Sequence, residues 1–179
     1  MKILKQTLLI LSLIFLAGFG SSCGYSTRSA LPGSLRTIYV EPFKNKIDFT
    51  NENRRNVYFP LIEVNARNAI VNRIQFDGNV RLTEPAKAAM ILKGSLVAYE
   101  RQPIRYDENE NVKEYRVQVV VDLRLWDTKE NLAIWEEPGF VGETTYFPTG
   151  SLATTEAAAL DKAMEDLGRR VVERIVENW

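Results

Sequence analysis

Between residues 116 and 126 the chain alternates apolar and polar side chains. Val117, Val119, Val121, Leu123 and Leu125 fall on one parity, with Arg116, Gln118, Asp122, Arg124 and Trp126 on the other. A period of two matches the pleat of a β-strand, so this segment turns one face to a core and the other away from it. No strand buries its apolar face alone, and the rest of the chain has to supply neighbours along its edges and a second layer above that face. The neighbours are close in sequence. Asp107-Glu108-Asn109-Glu110-Asn111 has the composition of a turn. Upstream of it, residues 89–105 put Leu92, Leu96 and Ala98 on one parity and Lys93, Ser95, Tyr99 and Arg101 on the other. Downstream, Asp127-Thr128-Lys129-Glu130-Asn131 leads into a third strand-like stretch, 132–146, with a bend expected at Pro138-Gly139. Three long strands joined by short turns predict an antiparallel meander.

Two segments with helical spacing predict the second layer. Leu61, Val64, Ile70 and Ile74, filled in by Ala66 and Ala69, predict a helix over 58–76, with Pro60 in its first turn and Asp77-Gly78 as its stop. Leu160, Met164, Leu167, Val171 and Ile175, widened by Ala163, form an i, i+3/i+4 stripe within 151–179. The opposite face of that helix mixes Asp161, Lys162, Glu165, Arg169 and Glu173, which suits water; a membrane-lying helix favours a Lys-rich polar face. Residues 35–43, with Ile38 and Val40 two apart, predict a further strand ending near Pro42. The polar run 44–56, carrying Lys44, Lys46, Arg54 and Arg55, reads as a loop, and 80–83 as a short strand that Pro85 ends. Strand, helix, strands, helix, with each helix apolar on one side, predicts an α+β fold. It is a two-layer sandwich with a mostly antiparallel or mixed sheet and both helices on one face.

The N-terminus has a different character. Lys2 and Lys5 precede an almost wholly apolar run, 8–19, and small residues lead to Cys23, the only cysteine in the chain. This is the layout of a bacterial export signal ending at a lipid-attachment cysteine, although Gly20 stands three positions before the cysteine where Leu is usual. The apolar run is shorter than the ~20 residues of a bilayer span. Residues 1–22 therefore read as a lipoprotein signal peptide, and Cys23 as the first mature residue, carrying diacylglycerol and a palmitate-type acyl chain. Residues 23–34 read as a lipidated tether and 35–179 as a single α+β domain. The mature chain keeps 179 − 22 = 157 residues, enough for one core. Lys2 and Lys5 leave with the signal, so 23 − 2 = 21 basic residues face 23 acidic ones, and nothing in that balance invites nucleic acid.

Histidine is absent from the chain. That removes serine–histidine and cysteine–histidine nucleophile pairs, histidine metal sites and histidine pH switches. With Cys23 acylated no thiol is left for a disulfide or a metal, so neither metal nor cofactor is expected. Glu136 and Glu137 are paired acids, but neighbours on a strand point to opposite faces and cannot share acid/base work. The chain does not read as an enzyme.

Cys23-Gly24-Tyr25 is followed by Val40-Glu41-Pro42-Phe43 closing the first strand, then by Leu92-Lys93-Gly94-Ser95-Leu96. After these come the valine-rich strand ending in Val121-Asp122-Leu123-Arg124-Leu125-Trp126-Asp127 and the closing helix. In these motifs and their order the chain resembles the outer-membrane lipopolysaccharide-assembly lipoproteins of the LptE type. The resemblance implies a lipid-anchored protein on the periplasmic side of the outer membrane. Such a protein binds lipopolysaccharide and serves as plug and assembly partner of the translocon β-barrel, with no reaction of its own. Lipopolysaccharide sets phosphates beside acyl chains, so its contact surface should pair cations with aromatic groups. Lys93, Arg101, Arg116 and Arg124, with Tyr99 and Trp126, sit on the polar parity and form the candidate lipopolysaccharide-binding set; Glu100 and Asp122 lie near enough to neutralise some of it.

A second class is an activator of a cell-wall synthase, or an assembly factor of a secretion pore, held by a lipid anchor. Such a module needs a long tether. Here about eleven residues separate Cys23 from the first strand, ~40 Å at most, which favours a partner in the membrane itself. Gly24 after the cysteine, in place of a retention-type Asp, fits delivery to the outer membrane. Cys23→Ala is expected to abolish acylation and leave a soluble or uncleaved precursor, and intact mass spectrometry of the mature wild-type protein should show a diacylglyceryl adduct.

Overall fold

The computed structural model describes residues 31–48 and 59–177. Residues 1–22, expected to be a signal peptide, Cys23, and Arg54 and Arg55 of the polar run lie outside them. Along the chain come β1 (Thr37–Val40), β2 (Lys44–Asn45), α1 (Ile62–Asp77), β3 (Arg81–Leu82), a 3-10 turn (Pro85–Lys87), β4 (Met90–Tyr106), β5 (Val112–Asp127), β6 (Leu132–Tyr146) and α2 (Glu156–Glu177). The strands form one mixed sheet in the order β3-β1-β4-β5-β6, with β2 continuing beside β4 beyond the end of β1. β4, β5 and β6 are the expected antiparallel meander, while β1, β2 and β3 run parallel to their neighbours. The fold is α+β, as the sequence predicts.

The alternation in β5 works as its period requires. Val117, Val119, Val121, Leu123 and Leu125 are at most 3% exposed, on the face that packs against the helices. The apolar stripe of α2 is buried throughout, and Thr155 starts that helix by accepting the Ala158 N–H on its hydroxyl at 3.1 Å. α2 lies so close to β6 that a Cβ on Gly142 would stand 2.6 Å from the Ala163 carbonyl oxygen and 2.7 Å from Leu167 Cα. The two helices meet as tightly, with Gly168 facing the Ala69 carbonyl oxygen.

Three local differences from the sequence reading have physical causes. α1 begins later than expected: Leu61 holds a left-handed conformation (φ 57°) at the N-cap, Pro60 lies outside the helix, and the buried stripe is Ile62, Ala66, Ile70 and Ile74. Leu61 and Val64, expected inside, are exposed because a strict i+4 stripe turns them outward. Packing also starts before the predicted boundary, since Leu31 is buried in the core and the Leu35 N–H bonds the Pro32 carbonyl at 2.9 Å. The third difference lies in β4. Pairing with β5 steps from Leu96↔Val121 to Ala98↔Val120, so Val97 is an extra residue and the parity changes beyond it.

The bend expected at Pro138-Gly139 is present. β6 skips these residues between Val121↔Phe140 and Leu123↔Glu137, Gly139 takes φ 66°, and the Asp122 carboxylate accepts its N–H at 2.9 Å. The close approach at Gly142 gives a direct stability test. Gly142→Ala is expected to cost about 1–3 kcal/mol by overpacking, a fall in Tm of roughly 2–4 °C per kcal/mol. Gly33→Ala, where nothing lies within 4 Å of the added Cβ, should leave the melting curve unchanged.

Candidate functional site on the open sheet face

Both helices lie on one side of the sheet, and the other side carries the polar parity of β4 and β5. At its centre Lys93 of β4 stands directly opposite Arg124 of β5. Like charges opposed across a strand pair repel. Each is flanked by an acid on its outer side: Glu41, just past β1, is 4.0 Å from Lys93 Nζ, and Glu136 of β6 is 2.8 Å from Arg124 Nε. One row across the sheet thus reads acid, cation, cation, acid. Trp126 lies two residues beyond Arg124, and the Lys93 ammonium sits 5.6 Å from its ring centroid.

Beside this row the face dips into a shallow recess of about 410 Å³, bordered by Lys44, Lys46, Lys93 and Arg124 and by Glu41, Asp122 and Glu136. Lys44 arrives because β2 pairs Lys44 with Ser95. Sequence reading placed Lys44 and Lys46 in a solvated loop; the missing signal was the two-residue strand, too short for any periodicity to show. Arg116 is also on this face, 3.9 Å from Glu143 and further along β5. The ion pairs here are between about 40% and 52% exposed. Exposed pairs such as Lys93 with Glu41, 4.0 Å apart, usually contribute only ~0–1 kcal/mol, so an incoming anion can replace Glu41 at small cost; Arg124 holds Glu136 through a second bond of 3.0 Å as well, which makes that pair the firmer of the two.

Arg101 and Tyr99 are not part of this face, contrary to the sequence expectation. The Val97 bulge moves them to the helix side, where Tyr99 pairs with Val119 and Arg101 with Val117. Tyr99 is fully buried, with its hydroxyl 3.0 Å from Glu156 at the start of α2 and its ring edge-on to Phe59. Arg101 bonds the same Glu156 carboxylate and lies 5.1 Å from the Tyr115 ring centroid, which in turn stacks on Tyr146. Burial pushes the Tyr99 phenol well above its ordinary pKa, and the Glu156 carboxylate adds to the effect. Burial alone would lower the Arg101 guanidinium, but the charge and hydrogen bond of Glu156 outweigh it and hold the group more firmly protonated. This cluster ties the outer half of the β4–β5 hairpin to α2; its charges are spent inside the protein. Of the four predicted contacts, Lys93 and Arg124 converge, Arg116 stands apart on the same face, and Arg101 is elsewhere.

Among the described residues no group of three or more His, Cys, Asp or Glu is placed to hold a metal ion, and no helix is long and apolar enough to cross a membrane. The family model described as lipopolysaccharide-assembly, LptE, matches residues 35–175. None of the curated proteins matches the chain by sequence. Among solved structures, the hypothetical protein CT253 from Chlamydia trachomatis is similar at 12% identity and a TM-score of 0.51, over 78% of this chain and 94% of that one. That likeness concerns the fold. A minor lipoprotein from Acinetobacter baumannii (12% identity, TM-score 0.49, 79% and 92% covered) and the rare lipoprotein B from Shewanella oneidensis (12%, 0.44, 76% and 92%) are more distant in shape.

The two sides of the sheet make opposite demands on a charge reversal. Arg101→Glu sets a carboxylate against Glu156 and is expected to destabilise the domain by about 2 kcal/mol, in the range for losing a hydrogen bond to a charged group. Arg124→Glu on the open face should shift Tm little. Thermal melts of the two variants side by side check this.

Proposed function

The chain belongs to the LptE family of lipopolysaccharide-assembly proteins, and we propose that it acts as a lipid-anchored protein of the outer membrane that binds lipopolysaccharide and plugs the translocon β-barrel. The observation that carries the lipid-binding part is the cross-strand pair Lys93 and Arg124 beside Trp126. Two cations side by side, each with an exposed carboxylate as its partner, can take a phosphate in place of those acids, and an aromatic ring at their edge offers a surface for an acyl chain. The basic residues on the rim of the recess, Lys44 and Lys46, extend the same chemistry. No step of bond making or breaking is needed, and the acids at the site serve as exchangeable partners of the cations.

The dimensions suit a plug. β5 has sixteen residues, which at about 3.3 Å each extend roughly 50 Å, comparable with the ≈ 40–45 Å thickness of a bilayer with its headgroups. A domain held at one end can therefore run the depth of a surrounding barrel. The open face would then meet either lipopolysaccharide in transit or the inner wall.

Binding of purified lipopolysaccharide at moderate salt separates these roles. Lys93→Gln/Arg124→Gln removes two charge-assisted contacts worth about 1.5–3 kcal/mol each, so affinity should fall by well over tenfold while the melting curve stays close to wild type. Equal binding by variant and wild type, or none by either, would reduce the face to a docking surface. Co-purification from membranes tests the partner: an outer-membrane barrel is expected, and a cell-wall synthase or secretion pore would overturn the plug role.

A further inference from the structure

One end of the sandwich gathers features that the open face does not explain. β1 and β4 begin there, β5 ends there and β6 begins there, as the pairings Ile38↔Met90, Met90↔Asp127 and Asp127↔Leu132 require. α1 finishes at the same end, because it leads through Gly78 into β3, whose Arg81 pairs with Thr37. The tether enters the fold there too. Since Leu31 is already buried, only residues 24–30 lie between it and Cys23, a reach of at most ~30 Å.

This end displays two of the seven exposed large apolar side chains among the described residues, Phe76 at 82%, with the Arg73 guanidinium 5.4 Å from its ring centroid, and Leu132 at 51%. It also holds Arg36 and Arg81, joined through the bond from the Arg81 N–H to the Arg36 carbonyl (2.9 Å). Lys87 and Lys129 at the same end each have an acid nearby, Glu84 at 3.4 Å and Glu130 at 3.6 Å. No carboxylate stands within 4 Å of Arg36 or Arg81 among the described residues. The negative C-terminal end of α1 accounts for part of this cationic clustering, but it gives no reason to expose a phenylalanine and a leucine.

We propose that this end is a bilayer-contacting surface. This end stays outside the surrounding barrel, where Phe76 and Leu132 enter the headgroup–acyl boundary of the leaflet that holds the Cys23 anchor, and Arg36 and Arg81 bind its phosphates. The pairing of apolar side chains with cations is the chemistry of interfacial membrane binding, which sets apolar groups roughly 5–10 Å into that boundary. The short tether determines the occupant, since it keeps this end next to the leaflet. The proposal rests on the lipoprotein reading of Cys23.

With Cys23 acylated the mature chain has no free thiol, so single nitroxide labels can be placed on the full lipidated protein. Phe76→Cys, Leu132→Cys and, at the opposite end, Asn109→Cys would be labelled in vesicles of phosphatidylethanolamine and phosphatidylglycerol. Collision with oxygen, which favours lipid, relative to a water-soluble nickel chelate should be several-fold higher at positions 76 and 132 than at 109. Adding Arg36→Gln/Arg81→Gln to the label at 132 should reduce that contrast. Equal ratios at all three positions on acylated, vesicle-bound protein would overturn the proposal and leave the anchor intact. An intact mass without an acyl adduct would remove its premise instead, and the proposal with it.

Discussion

Val97 is one residue more than the pairing of β4 with β5 can accommodate, and the assignment of faces in the long hairpin follows from that excess. Before the bulge, β4 turns Leu92 and Leu96 toward the helices and Lys93 outward. After it, Tyr99 and Arg101 face the helices and reach Glu156. The same strand therefore offers a cation to the open face at one level and a partly buried ion-pair anchor to α2 at another. Without the extra residue, Tyr99 would meet solvent and Glu156 would lose both partners.

This is also where sequence reading reaches its limit. Alternation is local, and it identified β5 because Val117, Val119, Val121, Leu123 and Leu125 keep one parity without a break. In β4 the same method failed past residue 97: Val97, Ala98 and Tyr99 can be assigned to either parity until the partner strand is known. A bulge is a property of two strands, and a single strand's pattern does not contain it. The bend in β6 was legible for the opposite reason, since Pro138-Gly139 signals irregularity from its own chemistry. β2 was not legible at all, and with it Lys44 was missed at the recess, because two residues carry no period. α2 was read correctly from its stripe, whereas α1 was started too early because Pro60 suggested a first turn that the left-handed Leu61 excludes.

The short motifs that carry the family resemblance have a physical role in the fold. Val40-Glu41-Pro42-Phe43 and Leu92-Lys93-Gly94-Ser95-Leu96 lie side by side, with Val40 paired to Leu92 and the Glu41 N–H bonded to the Leu92 carbonyl at 3.0 Å. The Phe43 ring covers Gly94 so closely that any side chain there would overlap it. Pro42 and Phe43 interrupt the ladder, and β2 resumes it at Ser95. The motifs encode a lock between the first and fourth strands. That lock also positions Glu41 next to Lys93, at the edge of the charge row on the open face.

The parallel pairing of β1 with β4 has a kinetic side. The meander and α2 are contiguous from Met90 to Glu177 and are joined by short turns, so their contacts close small loops. β1 meets β4 only across some fifty residues of intervening chain, a non-local contact that costs more loop entropy and forms more slowly. The C-terminal half can thus collapse as a unit before the first strand is laid against it. β1 and the segment before it are then the last to be drawn in, and β4 offers an unpaired edge until they arrive, an interval in which another chain's strand could take their place.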